Sequence, residues 1–331
     1  MQNTFKKFFL FPILVSIVAF ALIGYYAGVT AFFLVVMLSI LEVTLSFDNA
    51  VVNAKVLARM SPLWQRRFLT WGIAIAVFGT RFVLPILIVS TALWMSPIFI
   101  TKLAVSNPEA YGELLAKVHG SITAFGGTFL LMVSLKYFFN KVKEVHWIHV
   151  IEVHLAKWGR IEAIEIALAL TVLVTLSFMT HFDATAVLVA GIVGILLFIV
   201  MEGVAGSLSL ETDGVAVGGM TLFMYLNILD SAFSLDGVVG AFALTSNLPV
   251  IVVGLGVGAY FVRSLTLYFV TQKTLTQLIY LEHGAHWAIL GLACAMFANL
   301  VVHVPEVVTG LIGLCFVVLA YRSSIMEMRK Q

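Results

Sequence analysis

Long apolar stretches separated by short polar loops run through almost the whole chain. Of its 331 residues, 61% are hydrophobic and only 11% are charged, and the mean hydropathy is +1.07. Soluble domains carry about 25% charged residues, whereas a helix needs about 20 apolar residues to span a bilayer. The pattern predicts an all-α polytopic membrane protein with about nine to ten transmembrane helices, the first of them a retained helix over residues 8–27.

Basic residues gather at one side of these predicted spans. Cytoplasmic loops of membrane proteins are enriched in Lys and Arg, so this side is predicted to be cytoplasmic, together with both termini. The predicted inner side includes Lys6, Lys7, Arg66, Arg67, Lys157, Arg160 and Arg322, and the outer side has Lys102 and Lys117.

Two apolar stretches contain acids where a spanning helix is expected. Residues 42–54 read EVTLSFDNAVVNA, and residues 230–243 read DSAFSLDGVVGAFA. In both, an acid is followed by a serine four residues later and by an aspartate six residues later. An acid near the centre of a membrane helix costs roughly 2.5 to 3.5 kcal/mol, so such residues mark cavities, partners or ion pathways.

Further positions repeat in the same order. Arg81 follows Gly72 by the same interval at which Arg263 follows Gly254, and the pair His119-Gly120 returns as His283-Gly284. In the predicted topology the two acidic helices run in opposite directions. Inverted repeats with polar, interrupted helices at mid-membrane are typical of transporters. The alternative is an old duplication that retained polar helix contacts without transport.

The acids of one motif would not share a face of a straight helix. Glu42 and Asp48 are six residues apart, which corresponds to about 240° of rotation. Either the helix is broken near residues 46–49, or each acid meets one from the other repeat, which places Glu42 level with Asp236 and Asp48 level with Asp230. Neutral oxygens are expected from Ser46, Asn49, Asn53, Asn227 and Ser234.

Carboxylate, amide and hydroxyl oxygens suit hard divalent cations such as Mn²⁺, Mg²⁺ or Ca²⁺. We therefore predict a metal site formed by Glu42, Asp48, Asn49, Asp230 and Asp236. Carboxylates crowded in a dry cavity repel each other and take up protons more readily, so protons and the cation would compete for them.

Other polar residues have two interpretations each. Arg81 and Arg263 are expected to neutralise and orient the acids, or to form purely structural ion pairs with them. For His119 and His283, outer contacts to the metal or a proton relay stand against hydrogen bonds at helix starts. The spacing of the histidines in the polar insertion suits metal binding, but a solvated amphipathic face is favoured; these are His146, His149 and His154.

The sequence divides into six parts. We expect a first transmembrane helix, a first transmembrane repeat, a cytoplasmic amphipathic insertion, linking transmembrane helices, a second repeat, and a last helix with a cytoplasmic tail. Their boundaries are 1–29, 30–139, 140–160, 161–217, 218–301 and 302–331.

Three motifs resemble the integral membrane TerC family. An LExxLSxDNxxV-like core runs from Leu41 to Val52, a GIxxAxxxR-like helix from Gly72 to Arg81, and GGxFLL begins at Gly126. The resemblance implies a bacterial inner-membrane protein of a family linked to tellurium resistance and manganese efflux. It also implies that Glu42, Asp48, Asn49, Asp230 and Asp236 belong to the ion site. Gly237 replaces the usual asparagine of the second motif, which indicates a divergent branch.

Together these features favour a secondary transporter that exports a divalent cation. Mn²⁺ is the favoured cation, and its export in exchange for protons is one way in which transport could be coupled. No enzyme activity, required cofactor or nucleic-acid partner is expected. The expected partners are the lipid bilayer and the metal ion, which is the substrate. A homo-oligomer is an open alternative to a single chain. Two alternatives stay open. One is a membrane enzyme using paired carboxylates on a lipid or quinone, and the other is a non-transporting membrane partner in metal or tellurite stress resistance.

Overall fold

The described part of the protein consists of helices joined by turns and short loops. The computed structural model describes residues 2–140, 143, 145–210, 217–272 and 277–329, and its regular elements are all helices, which confirms the predicted all-α class. In chain order they are α1 Gln2–Leu45, α2 Phe47–Leu57, α3 Pro62–Ala74, a π-helical stretch Ile75–Val83, α4 Leu84–Ala92, α5 Pro97–Ser106, α6 Pro108–Lys117, α7 His119–Phe138, α8 His149–Trp158, α9 Ile164–Met179, α10 Ala184–Leu210, α11 Val217–Leu244, α12 Leu248–Thr271, α13 Leu281–Asn299 and α14 Glu306–Met328.

Among the described residues, six helical stretches are long and apolar enough to cross a bilayer. This makes the chain a multi-pass membrane protein, as the composition predicts, while the count of nine to ten spans stays a prediction. The stretches are Phe8–Leu45, Pro62–Ala92, His119–Phe138, Ala184–Gly203, Leu248–Thr271 and Val308–Met328.

The first of these stretches is interrupted at Gly28. This residue has φ 90° and ψ 175°, a backbone conformation that glycine adopts without the clash that a Cβ would cause. Phe20 and Phe32, on either side of the interruption, contact each other with ring centroids 6.5 Å apart. The break falls at the boundary that the apolar pattern predicts between the first two spans.

The helices group into two compact units, and each takes segments from both halves of the chain. The first unit contains residues 1–119 and 212–272, and the second contains 120–211 and 273–331. The units cut across the sequence-level divisions, because each contains part of both predicted repeats.

In the first unit, the second half of α1 packs closely along α12. Ser39 Oγ donates a hydrogen bond to the carbonyl of Gly254 at 2.9 Å, and a Cβ on Gly258 would lie 2.5 Å from the Cβ of Glu42. Side-chain-free positions on α12 therefore let the acid-bearing end of α1 lie directly against it.

In the second unit, α7 is buried against α10 and α13. Thr128 Oγ1 donates to the carbonyl of Gly191 at 2.9 Å, and Phe297 lies against Gly127. Fifteen of the 20 residues of α7 are buried, so this helix lies at the centre of its unit.

Candidate functional site

The first unit buries an acid–arginine pair where α1 ends. Glu42 is 1% exposed and lies four residues before Ser46, where the helix is interrupted before α2 begins. Ser46 Oγ donates to Glu42 Oε1 at 3.0 Å, and Arg81 Nη2 binds the same oxygen. Arg81 extends from the π-helical stretch Ile75–Val83, an element that is rare and often found at functional sites.

A second buried pair lies between α11 and α12. Arg263 Nη2 donates to Asp230 Oδ2 at 2.7 Å and, at 3.4 Å, to Asn227 Oδ1. The other oxygen of the same carboxylate accepts from Asn49 Nδ2 at 2.7 Å. Asp230 therefore joins α2, α11 and α12, and its negative charge is matched by one arginine.

The two acidic helices meet in opposite directions. Asn49 contacts Asp230, whereas Glu42 lies against Gly237, where a Cβ would be 3.4 Å from Glu42 Oε2. Moving forward along the first motif thus corresponds to moving backward along the second. The direction is as predicted, but each contact lies one residue away from the predicted pairing of Asp48 with Asp230 and of Glu42 with Asp236. The side chain of Asp236 lies outside the described part of the structure.

Asp48 has a different environment from Glu42 and Asp230. It is 3% exposed in the first turn of α2. Its carboxylate accepts hydrogen bonds from the backbone N–H groups of Asp48 and Asn49. In the described part of the chain, no other side chain donates a hydrogen bond to this carboxylate or forms an ion pair with it. Both buried arginines are engaged elsewhere, so a charged Asp48 has no counter-cation among these residues.

Several buried oxygens of the same unit also lack a partner. They are Asn49 Oδ1, Asn53 Oδ1 and Ser234 Oγ, each on a side chain no more than 2% exposed. Most buried polar atoms in folded proteins are hydrogen-bonded, so each exception calls for an explanation. Two of the three are on α2 with Asp48, and the third is on α11.

Among the described residues, no group of three or more His, Cys, Asp or Glu side chains is arranged to hold a metal ion. A cation bound in this unit would therefore use one or two carboxylates together with amide and hydroxyl oxygens. That donor chemistry suits the hard divalent cations that the sequence predicts.

The two predicted helix-start histidines belong to different units. His119 begins α7 at the end of the first unit, whereas His283 belongs to the second unit and lies 2.8 Å from Glu152 through Nδ1. The structure thus gives His283 a local acidic partner that the sequence interpretation did not foresee.

Glu152 is the centre of a second polar cluster. Its side chain is fully buried, and its oxygens accept from Lys143 Nζ at 2.9 Å and Trp287 Nε1 at 2.9 Å, besides the contact with His283. The backbone N–H groups of Trp147 and Ile148 add two longer bonds of 3.3 Å. These contacts hold the insertion to α13 of the same unit.

The sequence offered one signal for this cluster. Glu152 is flanked by Val150, Ile151 and Val153, so it is an acid in an apolar surrounding, as Glu42 is. The prediction that the insertion has a solvated face does not hold for Glu152, because its carboxylate is 0% exposed.

The cluster strongly favours the ionised form of Glu152. Burial raises the pKa of this carboxyl, but hydrogen bonds from His283, Lys143 and Trp287 outweigh burial and hold the pKa well below its ordinary range. Burial and the charge of Lys143 lower the pKa of His146.

Acidification is therefore expected to weaken the second unit. Below pH about 4.3, the ordinary pKa of a glutamate, the unfolded chain takes up a proton on residue 152 while the folded unit does not. The contribution of Glu152 is thus complete above this pH and is lost as the pH falls. Thermal unfolding midpoints between pH 6 and 3 should decline more steeply for the wild type than for Glu152→Gln, and equal slopes would contradict this assignment.

Comparison with family models gives one match, which covers residues 47–331. The chain belongs to DUF475. This family is described as a protein of unknown function. The match begins at the first residue of α2, so it includes Asp48, Asp230 and both buried arginines of this DUF475 protein. Comparison with curated proteins and with solved structures found no match.

Proposed function

We propose that this DUF475 protein is a secondary transporter that exports a divalent cation, Mn²⁺ in first place, across a bacterial inner membrane. The proposal includes nine to ten spans, an inverted repeat, cytoplasmic termini and a distant relationship to the TerC family. The cation is the substrate, and proton exchange is the proposed coupling.

The observation that carries the proposal is the environment of Asp48. This buried carboxylate has no counter-cation among the described side chains, and the same unit buries unpartnered oxygens on Asn49, Asn53 and Ser234. A dehydrated cation would balance the charge of Asp48 and would give these unpartnered oxygens a partner. A purely structural cluster would instead be expected to supply donors for these oxygens.

The charges of the two motifs support a divalent ion. The four acids Glu42, Asp48, Asp230 and Asp236 stand against the two arginines Arg81 and Arg263, so fully ionised side chains sum to −2. One divalent cation neutralises this sum, and two protons would do the same. This equality is the proposed basis for exchanging the cation against protons.

Asp48→Asn is expected to abolish cation flux, because the change removes the uncompensated charge while it keeps the size of the side chain. The measurement is Mn²⁺ uptake into sealed proteoliposomes under an imposed pH gradient. Asp183→Asn is the matched control: Asp183 is exposed and accepts from the N–H of Ala186 at the start of α10, a contact that asparagine can also make.

The outcomes separate the functions. Flux that is lost in Asp48→Asn and kept in Asp183→Asn supports transport through this site. Unchanged flux in Asp48→Asn refutes the site, and a wild type without flux refutes the transporter. In that last case, lipid or quinone conversion and capture of a membrane partner become the hypotheses to test.

A further inference from the structure

Helix α8 has its acid inside and apolar residues outside. Glu152 is fully buried, whereas four large apolar side chains on the helix and the turn after it are 46–73% exposed, namely Val150, Ile151, Trp158 and Ile161. On a helix with 3.6 residues per turn, Glu152 lies about 160° from His154, which is in the middle of the exposed residues. We call these exposed residues the outer face of α8: Val150, Ile151, His154, Lys157 and Trp158.

The opposite side of α8 is fixed to the second unit. Glu152 accepts a hydrogen bond from Trp287 Nε1 and contacts His283 Nδ1, both on α13. These two partners are one helical turn apart, so Glu152 lies beside α13 and not over its end. At the end of α8, a Cβ on Gly159 would be 1.9 Å from the carbonyl oxygen of Phe139. The outer face therefore points away from the helices of its own unit.

The position of α8 along the bilayer normal follows from its neighbours in the chain. Helix α7, His119–Phe138, is one of the stretches that can cross a bilayer, and Gly159 packs against the residue directly after it. The apolar helix α9 begins at Ile164, a few residues after α8. A helix held at the end of a span lies where the hydrocarbon core meets the lipid headgroups.

The outer face has the composition of an interfacial membrane helix. Trp158 combines a large apolar ring with one N–H donor, and such side chains gather where a bilayer meets water. His154 Nδ1 lies 2.6 Å from the carbonyl oxygen of Val150, so one of its ring nitrogens has a partner within the helix. An exposed apolar surface with a polar rim is typical of a membrane interaction site.

The charges at the end of α8 favour anionic lipid. Lys157 lies at the edge of the outer face, Arg160 follows the helix, and both are exposed. Glu162 is the one exposed acid between residues 149 and 162, so the exposed side chains of this stretch have a net positive charge. Basic residues beside a membrane surface attract anionic headgroups. Lipid phosphate is therefore the complementary group.

We propose that the outer face of α8 lies in the headgroup region of the bilayer and that anionic phospholipid is its partner. The apolar side chains contact the upper parts of the acyl chains, while Lys157 and Arg160 bind lipid phosphates. Glu152 acts from the other side of the helix, because its contacts with α13 hold α8 in this orientation. The inference is independent of the proposed transport. It assigns a lipid-binding surface to an insertion for which the sequence predicts a solvated face.

The test places a fluorescent label on the outer face of the full-length protein. The exposed cysteines Cys294 and Cys315 are replaced by serine, and Val150→Cys is labelled with NBD, whose emission shifts to the blue in apolar surroundings. His149→Cys is the matched control, because this neighbouring residue is also exposed but lies about 100° around the helix, outside the outer face. Both proteins are reconstituted into vesicles of phosphatidylcholine alone or of phosphatidylcholine and phosphatidylglycerol in equal amounts.

Lipids with a doxyl group near the top of the acyl chain should quench the label at residue 150 several-fold more strongly than the label at residue 149. In the mixed vesicles, doxyl-labelled phosphatidylglycerol should quench residue 150 more than doxyl-labelled phosphatidylcholine does, because the basic residues concentrate anionic lipid around them. Replacing Lys157 and Arg160 by glutamine should remove this difference between the two lipids, while quenching by both remains.

The other outcomes contradict the inference. Equal quenching at residues 149 and 150 would show that the outer face has no special contact with lipid. Equal quenching by the two labelled lipids before the charges are removed would overturn the role of anionic headgroups. A label at residue 150 that iodide in water quenches and doxyl lipids do not would place the outer face in solvent. Protection from both quenchers would mean that a protein, and not lipid, covers it.

Discussion

Glu152→Gln is expected to destabilise the second unit by about 3 to 5 kcal/mol. The change removes one negative charge from a fully buried site where Lys143 and His283 both contact it. Removing one partner of a buried ion pair costs this much because the other charge stays buried without compensation. Thermal unfolding of the purified protein, followed by tryptophan fluorescence, should show a lowered midpoint, and Trp287, a direct partner of Glu152, is a local reporter.

Glu202→Gln is the matched control for this prediction. Glu202 pairs with Lys136 in the same unit at 3.8 Å, and both side chains are about half exposed, 43% and 50% respectively. Exposed pairs contribute about 0–1 kcal/mol, so this variant should unfold almost as the wild type does. Equal midpoints for the two variants would show that the buried negative charge of Glu152 contributes nothing to stability.

The general plan of the first unit could be predicted from the sequence. Hydropathy marks the boundary where Gly28 breaks α1, because a span has a fixed length and the chain must turn after it. The repeated acids also predict their own register. Antiparallel packing of the two motifs predicts Asp48 level with Asp230. The observed contact comes from the next residue, Asn49, so the direction is as predicted and the register differs by one residue.

The partners within each cluster could not be predicted. Intervals along the chain do not say which arginine faces which acid, since this depends on helix rotation and on the π-helical stretch around Arg81. Glu152 was missed for a different reason. Its partners on α13 are more than 130 residues away in sequence, and a short polar insertion gives no hydrophobic period strong enough to predict what it packs against.

Gly258→Ala is expected to lower both stability and cation flux. A Cβ at this position would lie 2.5 Å from Glu42 Cβ, 2.6 Å from Glu42 Cγ and 3.0 Å from the carbonyl oxygen of Ser39. The backbone contact cannot be relieved by turning a side chain, so α1 must move away from α12. Overpacking of this kind costs about 1–3 kcal/mol. The shift acts on Glu42 itself, and therefore on its contacts with Arg81 and Ser46.

Gly256→Ala on the same helix separates packing from helix propensity. At this position the nearest atoms belong to the side chain of Val77, at 3.2 Å, and a side chain can yield more readily than backbone. Alanine favours a helix over glycine by about 0.5–1 kcal/mol at either site, so this gain cancels when the two variants are compared. The difference between their unfolding midpoints then measures the fit of α1 against α12. If Gly258→Ala kept full flux and stability, the position of Glu42 would not depend on this contact, and the proposed carboxylate site would tolerate displacement of one of its acids.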